Sequence, residues 1–192
     1  PMSAERVSQA RAHLAQNLTL PATSKWMMVH VGSGGSANNL SLDQYEQLVV
    51  ALSERLDGWQ FVLTAGPAEE AVVGGVYTRL LTRRVPVALW VSTDGLAAFA
   101  QGLATASAMV AGSTGPLHVA GALDVPTVGF FPRLQSSTAL RWQTLNTPAR
   151  HLPISVPEDS ADAESFASLD MALVADQVSN WLTELDCSPA TT

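Results

Sequence analysis

Apolar positions recur at helical spacing at the start of the chain, then gather into short runs separated by further helical stretches. Val7, Ala10, Leu14 and Leu18 share one face of a helix predicted over residues 3–17, which Pro21 stops. Residues 26–31, Trp-Met-Met-Val-His-Val, form a short apolar run that opens into a Gly/Ser-rich stretch at 32–36, as a buried strand entering a loop would. Tyr45, Leu48, Val49, Leu52 and Leu56 mark an amphipathic helix over 43–57, ended near Gly58. Further strands are predicted at 60–64, 87–91, 109–111 and 127–131, and helices from Pro67, over 94–106 and over 116–123. Proline suits a helical first turn because its missing N–H would be unpaired there anyway. Residues 132–165, rich in Pro, Ser and Asp, are expected to be irregular. Residues 169–185 are expected to form a last helix, with Leu169, Leu173, Val178, Trp181, Leu182 and Leu185 as its apolar set.

Strands thus alternate with helices from residue 26 to 131, and each strand is apolar throughout, as expected when both faces are covered. The pattern predicts an α/β fold: a Rossmann-like, doubly wound parallel sheet. There is no internal repeat and no second core-sized segment, so residues 21–192 are expected to form one domain, with residues 1–20 as a linker helix before it. A length of 192 residues and an apolar fraction of 47% suffice for a substantial core and exclude wholesale disorder. Ten Lys+Arg against 17 Asp+Glu give a net charge of −7, with Lys25 the single lysine, so there is no basic stripe to hold nucleic acid. No apolar run reaches 18 residues, so no transmembrane segment is expected. Cys187 stands alone, which excludes an intrachain disulfide and suits a reducing cytoplasm. Pro1 cannot start translation. The chain is therefore expected either to be cut from something longer or to carry an added residue before Met2. The tail at 188–192 is expected to fray.

Ligands of open α/β sheets bind beyond the carboxyl ends of the strands, and three loops there have unusual composition. The first is Gly32-Ser33-Gly34-Gly35-Ser36, where glycines would let backbone N–H groups approach a phosphate. It resembles a dinucleotide-binding loop but ends in Ala37, and no acid closes the second strand to meet a ribose; a tight turn needing glycine explains it as well. The second is Gly66-Pro67-Ala68-Glu69-Glu70, where Glu69 either stabilises a helix start or accepts hydrogen bonds from ribose hydroxyls. The third is Gly112-Ser113-Thr114-Gly115-Pro116-Leu117-His118, where two hydroxyls, free amides and a helix start suit an anion such as a diphosphate. His118, on the first turn, either faces that anion or merely packs. No Gly-Lys-Ser/Thr, no G-x-S-x-G and no Cys/His or paired acidic cluster occurs, so a Walker loop, a serine hydrolase and a metal site lack support.

Together, His30-Val31-Gly32-Ser33-Gly34-Gly35-Ser36, Thr64-Ala65-Gly66-Pro67-Ala68-Glu69, and the string from Gly112 to Thr127 containing Ser-Thr-Gly-Pro-Leu-His-Val-Ala-Gly-Ala-Leu-Asp-Val-Pro-Thr resemble glycosyltransferase family 9, the bacterial lipopolysaccharide heptosyltransferases. The resemblance is to their C-terminal, donor-binding half and runs from about residue 26 to the C-terminus. It implies a GT-B fold, with two Rossmann-like domains facing a cleft, ADP-heptose as donor, a lipopolysaccharide core acceptor held through the other domain, and no metal or other cofactor. It also implies a cytoplasmic enzyme, peripheral at the inner membrane of a Gram-negative bacterium. Carried over by position, Thr114, Gly115 and His118 face the diphosphate, Glu69 the ribose, and Ser33, Gly34 and Gly35 the sugar-phosphate side. The family's catalytic base is an acid of the N-terminal half, so no catalytic residue is expected in this chain, which alone is expected to be inactive.

The sequence departs from the family pattern at two places. Asn38-Asn39 stands where a lysine normally follows the glycine loop, so Asn38 is expected to donate a neutral hydrogen bond, with Arg133 or Arg141 as alternative sources of charge. Ser113 stands where an acid often precedes the Thr-Gly-Pro string. A non-catalytic nucleotide-sugar-binding module, or a GT-B enzyme using another nucleotide sugar, are the competing readings.

Overall fold

A computed structural model of the chain describes residues 2–32, 38–133, 143–158 and 163–187. Six strands form one sheet in the order β3-β2-β1-β4-β5-β6: β1 (Lys25–His30), β2 (Trp59–Ala65), β3 (Val87–Val91), β4 (Ala108–Gly112), β5 (Thr127–Phe131) and β6 (His151–Ser155). Every pairing is parallel, with His30 opposite Thr64 on one side and Ala111 on the other. The helices are α1 (Ala4–Leu18), α2 (Leu42–Ser53), α3 (Glu70–Thr82), α4 (Gly95–Leu103), α5 (Gly115–Ala122) and α6 (Met171–Cys187), and a single 3-10 turn, Pro67–Glu69, leads into α3.

The continuous apolar strands divide their side chains between two cores, because successive residues of a strand point to opposite faces. Met27 and Val29, with Phe61, Leu63, Val110 and Phe130, pack under α2, α3 and α6. Trp26 and Met28, with Val62, Met109, Ala111 and Phe131, pack under α1, α4 and α5. The expected doubly wound α/β sheet is what the chain forms. Helix α1 belongs to the second core: Leu14 and Ala15 are buried in it, and Arg11 lies 3.4 Å over the Trp26 ring while donating to the carbonyls of Ala22, Ser24 and Thr105.

One expectation fails. Residues 132–165 are not wholly irregular, because β6 lies within them and pairs with β5 from His151 opposite Thr127 to Ser155 opposite Phe131. It is an edge strand, which is where Pro153 can sit, since proline gives no N–H to a neighbouring strand. Ile154 carries its contribution to the core beneath α6, joined by Val156 just beyond its end. Helix α2 also ends earlier than its apolar pattern, at Ser53. The chain then turns through Gly58, at φ +74°, a left-handed value that glycine adopts without strain.

Candidate functional site

The order of the strands reverses between β1 and β4. The helix that follows β1 covers one face and the helix that follows β4 the other, so a crevice opens at the carboxyl ends of these strands. Two clamps shape it. Asn39 donates to the Val31 carbonyl (3.0 Å), while its Oδ1 accepts from the buried Tyr45 hydroxyl (2.6 Å), which in turn accepts from the Gly112 N–H (3.2 Å). The end of β1 and the end of β4 are thereby tied to one another through α2. Burial raises the Tyr45 phenol well above its ordinary pKa, so it stays protonated and can donate and accept at once.

The second clamp holds Glu69. Its Oε2 accepts from the Gly66 N–H at 3.1 Å, and the carboxylate rests on Gly32, where a Cβ would lie 1.9 Å from Oε1. Gly32 is therefore required for close approach, not for backbone freedom. His30 Nε2 lies 3.9 Å from Glu69 Oε2, and its Nδ1 is 3.0 Å from Thr64 Oγ1. Burial lowers the His30 pKa, against smaller raising effects from Glu69 and Thr64, which leaves the ring neutral at neutral pH. Beside Glu69 a cleft of about 300 Å³ is walled by Gly66, Leu96, Phe99 and Pro116, with polar groups at His30, Glu69 and Ser92. That is a polar edge against an apolar wall.

Across from Glu69, α5 begins. Thr114 precedes its first residue with extended backbone and makes no side-chain cap. Its Oγ1 is buried, in a residue only 7% exposed, and has no hydrogen-bond partner. An unpaired buried hydroxyl costs about 1–3 kcal/mol, which a ligand's acceptor would recover. The Thr114 N–H is spent on the Gly112 carbonyl (2.7 Å). The amides left for a ligand are those of the helix's first turn, Gly115 and Leu117, since Pro116 has none. Their dipoles and the helix axis favour an anion there. Ser113 is half-buried beside them, and His118, one turn in, has its pKa lowered by burial and is a neutral imidazole.

The structure thus brings Glu69, Ser113, Thr114, Gly115 and His118 to one end of the sheet. Ser33, Gly34, Gly35 and Arg141 lie outside the described residues. Asn38 donates to the Glu164 carbonyl (3.2 Å) on the wall of a separate cleft of about 670 Å³, lined also by Gln44 and Phe166. Among the described residues no three His, Cys, Asp or Glu side chains gather as a metal ion would require. His30, Asn39 and Tyr45 were not among the expected site residues. Tyr45 reads in the sequence as one more apolar position of α2, and its hydroxyl meets Gly112 across 67 residues of chain.

A six-stranded parallel sheet with an uncapped helix start and a carboxylate at its switch point defines a Rossmann-like domain of the GT-B kind. The chain belongs to glycosyltransferase family 9 (heptosyltransferase), whose model matches residues 4–158. It is 41% identical over 165 residues to a putative glycosyltransferase of Haemophilus influenzae, covering 86% of this chain and 46% of that protein. Its fold is that of E. coli ADP-heptose lipopolysaccharide heptosyltransferase II (TM-score 0.76, 16% identity, 97% of this chain and 54% of that one). It is also that of E. coli heptosyltransferase WaaC with ADP (TM-score 0.65, 18% identity, 89% and 48%). The chain spans about half the length of these relatives. None of the helices among the described residues is long and apolar enough to cross a membrane.

Proposed function

We propose that this chain is the donor-binding half of a family 9 enzyme that moves heptose, or a related sugar, from an ADP-sugar to a lipopolysaccharide core acceptor in the cytoplasm. The observation that carries the proposal is the buried, unpartnered Thr114 hydroxyl at the uncapped start of α5. A diphosphate oxygen would accept from Thr114 Oγ1 and from the Gly115 and Leu117 amides. As the glycosidic bond breaks, negative charge grows on the departing diphosphate, and donors already fixed in place stabilise it without reorganising. Glu69 would accept from ribose hydroxyls, and Leu96, Phe99 and Pro116 would cover the base. Ser33, Gly34 and Gly35 would meet the sugar-phosphate side. The assignment of ADP is supported by the name of the E. coli relative that shares the fold. The base that activates the acceptor would come from the other half of the enzyme. No metal or other cofactor has a role in this account.

A second reading, a non-catalytic nucleotide-sugar-binding module, is favoured by one observation. Where the family places a lysine, Asn39 is committed to Val31 and Tyr45, and Asn38 to Glu164. The separating test is heptose transfer by the full-length protein. Calorimetric titration with ADP tests the site itself. Thr114→Val, which removes only the hydroxyl, is expected to weaken ADP binding about threefold to tenfold, the worth of one hydrogen bond, and unchanged affinity would remove the main support for the proposal. Equal affinity for UDP would argue for a different donor.

A further inference from the structure

β3 is the outermost strand on one side of the sheet. Its sequence, Val-Ala-Leu-Trp-Val, holds none of the charges or prolines that usually blunt an exposed edge. Hydrogen bonding to β2 sets which groups this edge presents. The Phe61 N–H donates to the Pro86 carbonyl at 2.8 Å, and the Ser92 N–H to the Ala65 carbonyl at 3.0 Å. Each residue of a strand turns its N–H and C=O to the same side, and successive residues alternate. Residues 86, 88, 90 and 92 therefore face β2, while Val87, Leu89 and Val91 face outward. A cleft of about 770 Å³ runs along that edge. Its lining gives the path. Leu89, packed against the core under α3, shares the cleft with Trp90 of the opposite core and with Gly102 of α4. Only a cleft that passes around the strand's free edge touches both faces of the sheet.

Helix α1, which packs against both α4 and β3, forms the far wall. Residues four apart lie along one line of a helix. Gln9, His13 and Asn17 make a polar rim, and Ala10, Leu14 and Leu18 an apolar floor. Near the carboxyl end of β3 stand Glu70 and Asp94, and no lysine or arginine lines the cleft. Trp90 adds an aromatic surface, its ring resting on Gly102, where a Cβ would lie 2.1 Å away. A groove between a free strand edge and a helix accepts an extended peptide as one more strand. Main-chain hydrogen bonds then give affinity and alternate side chains give specificity. Two carboxylates and an indole favour a cationic side chain and repel an anionic one. We propose that this groove docks an extended, lysine- or arginine-bearing segment of a partner protein, which adds a strand beside β3. The proposal does not depend on what the crevice at the β1–β4 switch point binds.

The test is titration of the 192-residue chain with acetyl-Lys-Val-Lys-Val-Lys-amide, a peptide as long as β3. Amide hydrogen exchange is expected to slow at Leu89 and Val91 on binding. The counterpart with glutamate in place of lysine is expected to bind about tenfold more weakly or worse. N-methylation of every second peptide residue separates strand pairing from other contacts. In one phase it removes the N–H groups that meet β3, and affinity is expected to fall about tenfold or more. In the other phase it faces away from β3, and affinity stays within about threefold. Leu89→Pro removes an outward N–H and no bond to β2, so the chain is expected to fold yet lose about threefold to tenfold in peptide affinity. Thermal melting controls for folding, and if this variant does not melt cooperatively the methylation series on wild type decides. Equal loss in both phases or in neither, equal binding of the two peptides, or unchanged exchange at Leu89 and Val91 overturns the proposal. So does a basic peptide that fails to bind at millimolar concentration. Protection of those amides that rises with chain concentration alone would place a second copy in the groove and overturn it. Resonance shifts at Trp90 and Gln101 with maltotriose, and none with either peptide, would mark a sugar site and overturn it equally.

Discussion

Gly32 shows how a missing side chain can place a charge. A Cβ there would collide with the tip of Glu69, not with backbone, so the obstacle can move and the cost falls on the carboxylate rather than on the fold. Gly32→Ala is therefore expected to melt within a few degrees of wild type yet to bind ADP about tenfold to a hundredfold more weakly, through loss of a charged hydrogen bond worth roughly 1.5–3 kcal/mol. Thermal melting and calorimetry on the same preparation check both halves. A large fall in melting temperature with affinity unchanged would contradict the account. The placement of Glu69, Ser113, Thr114 and Gly115 at one end of the sheet was legible in the sequence because each follows a strand within a few residues, and strand ends are where such folds bind ligands. The surroundings of Asn38 could not be read from the sequence, because the Glu164 carbonyl it donates to comes from a distant segment with no periodic pattern. His30 looked like a strand residue, and only the parallel register that sets it beside Thr64 reveals its second neighbour.

Between elements, the Tyr45 hydroxyl joins α2 to the ends of β1 and β4. Tyr45→Phe keeps the packing of a fully buried ring but leaves the Gly112 N–H unpaired and deprives Asn39 Oδ1 of a donor. The expected loss is about 1–3 kcal/mol in urea unfolding, together with weaker ADP binding, since both site loops spring from the joined strands. Stability equal to wild type would show that the clamp holds nothing. Most elements could be read from periodicity, because strands buried on both faces give unbroken apolar runs and amphipathic helices repeat every three or four residues. β6 could not. As an edge strand it buries little besides Ile154, and Pro153 in its middle is normally a sign against a strand. The crossover order of the sheet was likewise implicit in the βαβ pattern but not the particular pairs that meet at its switch point.

Over the whole molecule, charge and function are separated. The chain is acidic, at −7, while its candidate anion site is built from amides, a hydroxyl and a helix start, which act only at short range. Several histidines lie in or near that region, and burial lowers the pKa of His30, His118 and His151 alike. Unfolded, each takes up a proton below the ordinary imidazole value; folded, each resists it. The unfolded state then binds more protons, so stability is full above that value and falls as the pH drops toward the lowered folded values. The urea midpoint is expected to be lower at pH 5.5 than at pH 7.5, and an equal or higher midpoint would show that these rings titrate normally. Glu46, held ionised by Arg79 and Arg83, adds its loss only at lower pH, below the ordinary carboxylate range. The central claim, that the crevice at the β1–β4 switch point holds a nucleotide diphosphate, is met most directly by following backbone amide resonances of the chain during titration with ADP. The account predicts saturable shifts concentrated at Gly66, Glu69, Thr114, Gly115, Leu117 and His118; no shifts there at millimolar ADP, or shifts confined to other parts of the surface, would contradict it.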